Sequence, residues 1–564
     1  MKSRKQTQLP EVVDAVVIGS GHNGLITAVT LAKAGWSVAV VERNQEIGGA
    51  TRSGELDQPG LTHDLYATNI NLFLASPAYT EWKDELEREG FRPKVSTRSY
   101  SNVFPDGKAL KVYSDQAKTE RLLGEHDVRD LEGWRGLHNR YKQFMTGLMP
   151  LYSTSLPSVR AVKGLVAAAR SLGVFEMLEL GRLLLASTRE LGDTWMSSPE
   201  AKALIATWGM HLDYGPDVSG GAMFPFLETF TDMEEGIAVA EGGISALPEA
   251  LAGMLEKAGG HIRTGTPVVS IDTEAGVATG VRLADGTRVH ARRAVVANTT
   301  PTQLFGELLV DSGVVDAKLS TRTERYRYGP GTMVVHLALS EPITWAAGEE
   351  LSEFAYVHVA PYVDDLARTY QQAMAGQIPD SPLLIVGQTS QVDPTRSPDD
   401  RQVVWVQVRA LPSTIVGDAA GTITATSWDE AKEPVADRVI AKLEDYAPGI
   451  AELILSRTVF SPDDLEASNP NLVGGDSVAG SHHLWQNFLF RPWPGASTYR
   501  MPVGKLFLVG AATWPGAGTN GVSGSLCARR ILDPHPYRGR IAAAIGTVAA
   551  LATSAAIIKS IARR

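Results

Sequence analysis

Asp14-Ala-Val-Val-Ile-Gly-Ser-Gly-His-Asn-Gly-Leu-Ile-Thr-Ala-Val-Thr-Leu-Ala-Lys-Ala-Gly35 reads as a buried strand, a glycine turn and a helix. Val16, Val17 and Ile18 form the unbroken apolar run of a parallel strand covered on both faces. Gly19, Gly21 and Gly24 follow in G-x-G-x-x-G spacing, with Ser20, His22 and Asn23 between them. The first glycine permits the tight turn, the second lets backbone approach a pyrophosphate, and the third lets the helix pack closely on the strand. The helix N-terminus then faces the anion. Ser37 to Val41 supplies a second strand, and Glu42 closes it about 20 residues past the turn, where an acid accepts hydrogen bonds from a ribose diol. A glycine-rich turn with a surface glutamate beyond it is the plainer alternative. Two strands, a helix and an acid in register weigh against that.

At 564 residues the chain exceeds the usual single-core limit, so two or more interleaved domains are expected. A composition of 44% hydrophobic and 21% charged residues is that of a globular protein. The net charge of -10 provides no basic field for nucleic acid. Cys527 is the only cysteine, which excludes a disulfide framework and a thiolate metal site, and no metal site is expected elsewhere. No apolar stretch follows Lys2, Arg4 and Lys5 before the first strand, so a secretory signal is not expected and the cytoplasm is the expected location.

Beyond Glu42 and Arg43, the pair Gly48-Gly49 can pass close to a bound cofactor, with Ala50 and Thr51 beside it, and Arg52 can meet its phosphates or ring edge. Near the other end of the chain, Leu506 to Arg530 repeats the logic. A strand ends at Gly510 and Ala511, a small-residue loop reaches Gly518, Thr519 and Asn520, and a helix starts near Gly521 or Val522. A helix N-terminus there would stabilise negative charge on a reduced ring. Taken together, Gly19 to Gly24, Glu42, Gly48-Gly49-Ala-Thr-Arg52 and Trp514-Pro-Gly-Ala-Gly518 resemble the phytoene desaturase and amine oxidase superfamily. The nearest branch is the phytoene-dehydrogenase-related oxidoreductases, which include flavin-dependent carotenoid ketolases. The resemblance runs over nearly the whole chain up to Arg530. It implies FAD as cofactor, with the backbone of Val268 offered to the adenine.

The implied architecture is α/β. A discontinuous Rossmann-type, glutathione-reductase-like FAD-binding domain (11–75, 240–300, 491–535) alternates with an α+β substrate domain carrying a helical cap (76–239, 301–490). His63, Asp64 and Asn69 read as a hydrogen-bonded connecting loop in preference to a catalytic cluster. Arg160 to Leu191 is amphipathic, with Lys163, Arg170, Arg182 and Arg189 beside its apolar residues; cap-domain core is the first reading and a membrane-surface helix the sharper one. His211 reads as a structural histidine, since no metal-spaced partner accompanies it. His482 or His483 is a guess for a substrate-facing group. Met333 to Leu339, Pro382 to Val386 and Val403 to Val408 suggest a half-buried antiparallel sheet, with a helix from about Glu433 to Tyr446 whose first turn holds Pro434. The tail 536–564 reads as an apolar helix, short and alanine-rich for a membrane span.

The expected chemistry is hydride removal by FAD from an apolar, isoprenoid or carotenoid-like substrate, with a quinone or oxygen as final acceptor. Peripheral membrane contact is part of that expectation. The sequence assigns no catalytic acid or base and no oligomeric state. Two alternatives stand beside it: a flavin amine oxidase, and a flavin-free prenyl- or lipid-binding escort protein of the same fold.

Overall fold

The computed structural model describes residues 8–533. The expectation for the C-terminal tail falls outside them. Two seven-stranded sheets alternate along the chain. Strands β1 (Val12–Ile18) and β2 (Val38–Val41) open the first sheet, and β3 (Arg98–Val103) and β4 (Ala109–Tyr113) belong to the second. The chain returns to the first with β5 (His261–Arg263), β6 (Val268–Glu274), β7 (Val277–Leu283) and β8 (Arg288–Ala297). It crosses again for β9 (Gly331–Leu339), β10 (Tyr356–Val359), β11 (Leu383–Gly387), β12 (Gln402–Leu411) and β13 (Ile454–Phe460), and ends in the first sheet with β14 (Leu506–Leu508).

In the first sheet β8, β1, β2 and β5 lie side by side and parallel, and β14 adds parallel to β8. The hairpin β6–β7 and the antiparallel pair β7–β8 turn the far edge into a meander, with Gly286 at φ +86 in the Asp285-Gly286 turn. Val16, Val17 and Ile18 are buried on both faces, as an unbroken apolar strand must be. Helix α1 (His22–Lys33) covers one face, and the helix Val522–Leu532 packs across it. Their contact is close because Gly524 has no side chain: a Cβ there would lie 2.5 Å from the carbonyl oxygen of Asn23. The two glycine-rich segments, at opposite ends of the chain, are tied where the Gly524 N–H donates to Asn23 Oδ1 (2.9 Å) and Thr27 Oγ1 donates to the Gly524 carbonyl (3.1 Å).

The second sheet runs β13-β9-β12-β11-β10-β3-β4. It is not half-exposed: β9, β11 and nearly all of β12 are buried on both faces. One face (Met333, Val335, Leu337, Val404, Val406, Val408) packs on the helix Trp428–Tyr446 through Val435, Val439 and Leu443. The opposite face turns toward the first sheet. That helix begins at Trp428, five residues before the expected start at about Glu433, because Trp428 is buried there and donates Nε1–H to the Pro412 carbonyl (3.1 Å). Pro434 therefore sits inside the helix, on its exposed side, where water can take the carbonyl left without a donor.

The amphipathic stretch forms the helices Val159–Leu172 and Val174–Leu185. Ala161, Ala168, Leu180 and Leu183 are buried, but Phe175 is 79% exposed, Leu178 63% and Leu185 65%. Among the described residues no helix is long and apolar enough to cross a membrane.

Candidate active site

A single cavity of about 530 Å³ runs from the first glycine turn to the inner face of the second sheet. Gly19, Gly21, His22, Asn23, Glu42, Arg43, Gly48, Gly49, Ala50 and Thr51 line one end, together with Val268, Gly510, Ala511, Gly518 and Thr519. Thr332, Val334, Tyr356, Trp405, Gln407 and Arg409 form the far wall, faced by Trp208, His211, Phe224 and Glu228.

The dinucleotide end is built by backbone. A Cβ on Gly21 would come within 2.7 Å of Asn298 Nδ2, and Gly49, at φ +60, lies against the Gly21 backbone. Helix α1 starts at His22 with no side-chain cap and no acid in its first turn, so its N–H groups and partial positive charge are free for an anion. Burial pulls His22 down to about 4, so its ring adds no charge there. Glu42 is buried with one oxygen fixed by Ser20 (N–H 2.9 Å, Oγ–H 2.7 Å) and the other by the Asn44 N–H (2.9 Å), a carboxylate held rigidly in the cavity wall. A glycine cradle, an uncapped helix start and a fixed acid fit the pyrophosphate and ribose of FAD. Ser20 and Gly24 serve this end from behind, Ser20 by holding Glu42 and Gly24 by its packing on the Gly19 carbonyl.

Four other expected residues stand back from the cavity wall. Arg52 is buried against Tyr66, donating from Nη2 to Tyr66 Oη (2.6 Å) and Ser468 Oγ (2.7 Å) and from Nε to the Gly49 carbonyl (3.1 Å). It holds the Gly48-Gly49 turn and the Tyr66 ring in place, and Tyr66 does line the cavity. Asn520, Gly521 and Val522 lie behind the loop Gly510–Thr519. Asn520 Oδ1 accepts from the Val522 N–H (2.9 Å), and Asn23 takes the Gly524 N–H, so this helix start is satisfied from within the protein. His482 also acts from behind, accepting the Ala517 N–H on Nε2 (2.9 Å). His483 bonds the Asp213 carbonyl (2.8 Å), and neither histidine lines the cavity.

The far wall follows from strand periodicity. On β12 the apolar Val404, Val406 and Val408 face the helix layer, which puts Trp405, Gln407 and Arg409 on the cavity side. Across the ladder Val334 pairs with Gln407 and Thr332 with Arg409. Gln407 and Arg409 went unassigned in the sequence although the alternation Val-Trp-Val-Gln-Val-Arg carries the signal. Burial pulls Arg409 down to about 10, so it stays cationic at neutral pH.

His211 lies 3.3 Å from His358 Nε2, against the Trp208 ring. Burial, then the His358 ring, then the Arg409 charge hold it far below its ordinary value, so it is a neutral wall residue. Among the described residues no cluster could hold a metal ion. Glu228 went unnoticed because nothing in its local sequence marks it. Burial pushes it up to about 7 and holds Asp232, one helical turn on, well above the usual carboxylate range.

The model of the flavin containing amine oxidoreductase family matches residues 24–532. Among curated proteins, the chain is 27% identical over 550 residues to rat pyridine nucleotide-disulfide oxidoreductase domain-containing protein 2, covering 91% of this chain and 92% of the relative. It is 27% identical to one of the subunits of the limonene dehydrogenase of Castellaniella defragrans (89% and 91% covered). Phytoene desaturase of Fusarium fujikuroi is 26% identical (89% and 86%). Among solved structures, an oxidoreductase from Methanosarcina mazei superposes with a TM-score of 0.59 at 16% identity, over 92% of this chain and 99% of that one. Putrescine oxidase bound to putrescine superposes with a TM-score of 0.55 at 15% identity, over 92% and 98%. These two likenesses concern the fold.

The fold and the glycine-built cradle define an FAD-dependent oxidoreductase. The chain belongs to the flavin containing amine oxidoreductase family and is similar to its phytoene desaturase-like members.

Proposed function

We propose that the protein oxidises an apolar, isoprenoid-type substrate by taking hydride from carbon, leaving a new double bond. The observation that carries this reading is the single cavity joining the FAD cradle to a deep wall of Trp405, Tyr356, Val334, Phe224 and Trp208. Relatives named limonene dehydrogenase and phytoene desaturase support it. FAD, when bound, supplies the two-electron acceptor. The chain's own residues position the substrate, exclude water and take the proton that leaves with the hydride. Glu228 is the group in the cavity wall fitted to that proton, because burial brings it near neutrality. It accepts only when ionised, so kcat/KM should rise with pH through a limb near pH 7. Glu228→Gln is expected to remove that limb and lower kcat by about 100-fold. A pH profile unchanged in the variant would exclude Glu228 as the base.

Oxidation of an amine is the second reading, and Glu228, an acid able to face a cationic nitrogen, is the observation in its favour. The aromatic pair Tyr356 and Trp405 speaks against it. The two rings project from strands of the same wall and lie 6.3 Å apart at 28° on either side of Gly387, so they do not bracket the chamber from opposite walls. Anaerobic bleaching of the flavin-loaded protein by polyenes, monoterpenes, amines and steroids decides between them: bleaching by amines alone would overturn the isoprenoid reading. Reoxidation by a quinone or oxygen completes the proposed cycle, and turnover sustained by NADPH alone would count against it.

The apolar patch of Phe175, Leu178 and Leu185 supports peripheral docking on a membrane that delivers such a substrate. Phe175→Glu with Leu178→Glu should lower co-sedimentation with phosphatidylglycerol vesicles at least about 10-fold. Equal co-sedimentation of variant and parent would remove the patch from consideration.

A further inference from the structure

We propose that Arg409, with Thr332 and Ser477, docks a carboxylate carried at one end of the substrate, so that the natural substrate is an isoprenoid acid or is oxidised while held by such an end group. This rests on the reading of the far cavity as the substrate chamber. Arg409 is 9% exposed and lies on the cavity face of the second sheet. Nη1 donates to Ser477 Oγ (2.5 Å) and Thr332 Oγ1 (3.4 Å), two neutral hydroxyls, and Nε is buried with no partner. Among the described residues it makes no ion pair. The one acid that acts on its charge, Asp476, is already held by the N–H groups of Gly329, Val478 and Gly480.

A buried guanidinium without a counter-ion is costly to keep, and the fold goes out of its way to place this one. Opposite Gly331 and Thr332, β12 carries one extra residue, Ala410, held at φ +59, where an alanine is strained. The resulting bulge re-aims the side chain beside it, the use bulges find next to binding sites. A hydrocarbon would leave Arg409 Nε unsatisfied and its charge uncompensated, whereas a carboxylate answers the planar fork of Arg409 with two acceptors and a compensating charge.

The test titrates flavin-loaded protein with retinoate, retinol, a C20 polyene hydrocarbon and hexanoate, following quenching of tryptophan fluorescence. Retinoate is expected to bind about 30-fold or more tightly than retinol, and Arg409→Met to abolish that preference while changing retinol affinity less than about threefold. Arg409→Lys keeps part of it, and the flavin absorbance spectrum and melting temperature of both variants confirm that cofactor and fold survive. Retinoate and retinol bound equally well by the parent would overturn the docking proposal and leave the isoprenoid reading standing. So would an Arg409→Met variant that weakens both alike or perturbs the flavin spectrum, since Arg409 would then serve the flavin or the fold. Arg409-dependent binding of hexanoate with no retinoid binding would keep the docking point and overturn the isoprenoid reading, and no binding of any probe would overturn both.

Discussion

Gly21→Val is expected to give a folded protein that retains no FAD. The Gly21 backbone, at φ -59 and ψ 154, is open to any L-residue, so the loss would be steric and local. The first added atom would meet Asn298 Nδ2 at 2.7 Å. Asn298 has little room to yield. Its N–H donates to the Ile18 carbonyl (2.9 Å), its carbonyl accepts Asn471 Nδ2 (3.0 Å), and its amide reaches the Gly21 carbonyl (3.4 Å). The valine methyls would then occupy the space where backbone must approach the pyrophosphate. An affinity loss of at least about 100-fold, some 2.7 kcal/mol, follows from removing that approach. The ratio of flavin absorbance to protein after reconstitution measures it, with circular dichroism as the check on fold. A variant that binds FAD at full stoichiometry would undo the assignment of the cradle. Gly24→Val is a useful contrast: its Cβ would lie 2.6 Å from the Gly19 carbonyl, in the helix-strand contact, so it should damage the fold itself.

The difference between those two glycines shows where sequence reading reaches. Spacing alone identified the turn, the acid at Glu42 and the second glycine-rich loop, because backbone-built sites must write themselves as glycines at fixed offsets. The expected alternation of the chain between two domains came from the family resemblance, not from spacing. Spacing did not separate residues that touch the cavity from those that hold them. Arg52, Ser20 and Asn520 sit inside the motifs and act through Tyr66, Glu42 and the Val522 N–H. The far wall was harder still. Trp405, Gln407 and Arg409 share a face only because β12 is covered by a helix on its other side, and local sequence does not say what covers a strand. Glu228 and Asp232 are unusual through burial, a property of packing and not of spacing. His63, Asp64 and Asn69 read as a hydrogen-bonded connecting loop; His63 and Asp64 stay out of the cavity wall, whereas Asn69 lines it.

Asp64 is the residue whose removal should cost the fold most. Its Oδ1 accepts Ser53 Oγ–H (2.8 Å) and the Ile244 N–H (2.8 Å), and its Oδ2 accepts Thr68 Oγ1–H (2.7 Å). The same Oδ2 lies 2.8 Å from Arg396 Nη1, and both side chains are wholly buried. Arg396 also donates from Nη2 to the Ala240 carbonyl (2.9 Å), with Asp393 Oδ2 at 3.3 Å from its Nε and bonded in turn to the Gly242 N–H (2.7 Å). The cluster thus joins the segment after the first glycine motif, the return at Ala240–Ile244 and the loop before β12. Asp64→Ala strips four acceptor contacts at once and leaves Arg396 to the more distant Asp393. Breaking a buried pair from one side costs about 3–5 kcal/mol, a large part of a typical stability of about 5–15 kcal/mol. Urea unfolding followed by tryptophan fluorescence and by the release of flavin should show both transitions moving to lower denaturant together. Under native conditions the flavin spectrum should be unchanged, because Asp64 does not face the cavity. In the double variant Asp64→Ala, Arg396→Met the charge left without its partner is gone as well, so its cost should fall below the sum of the single ones by at least about 1 kcal/mol. A single Asp64→Ala variant within about 1 kcal/mol of the parent would mean that solvent or Asp393 already satisfies Arg396, and that the segments are held together by their apolar contacts alone.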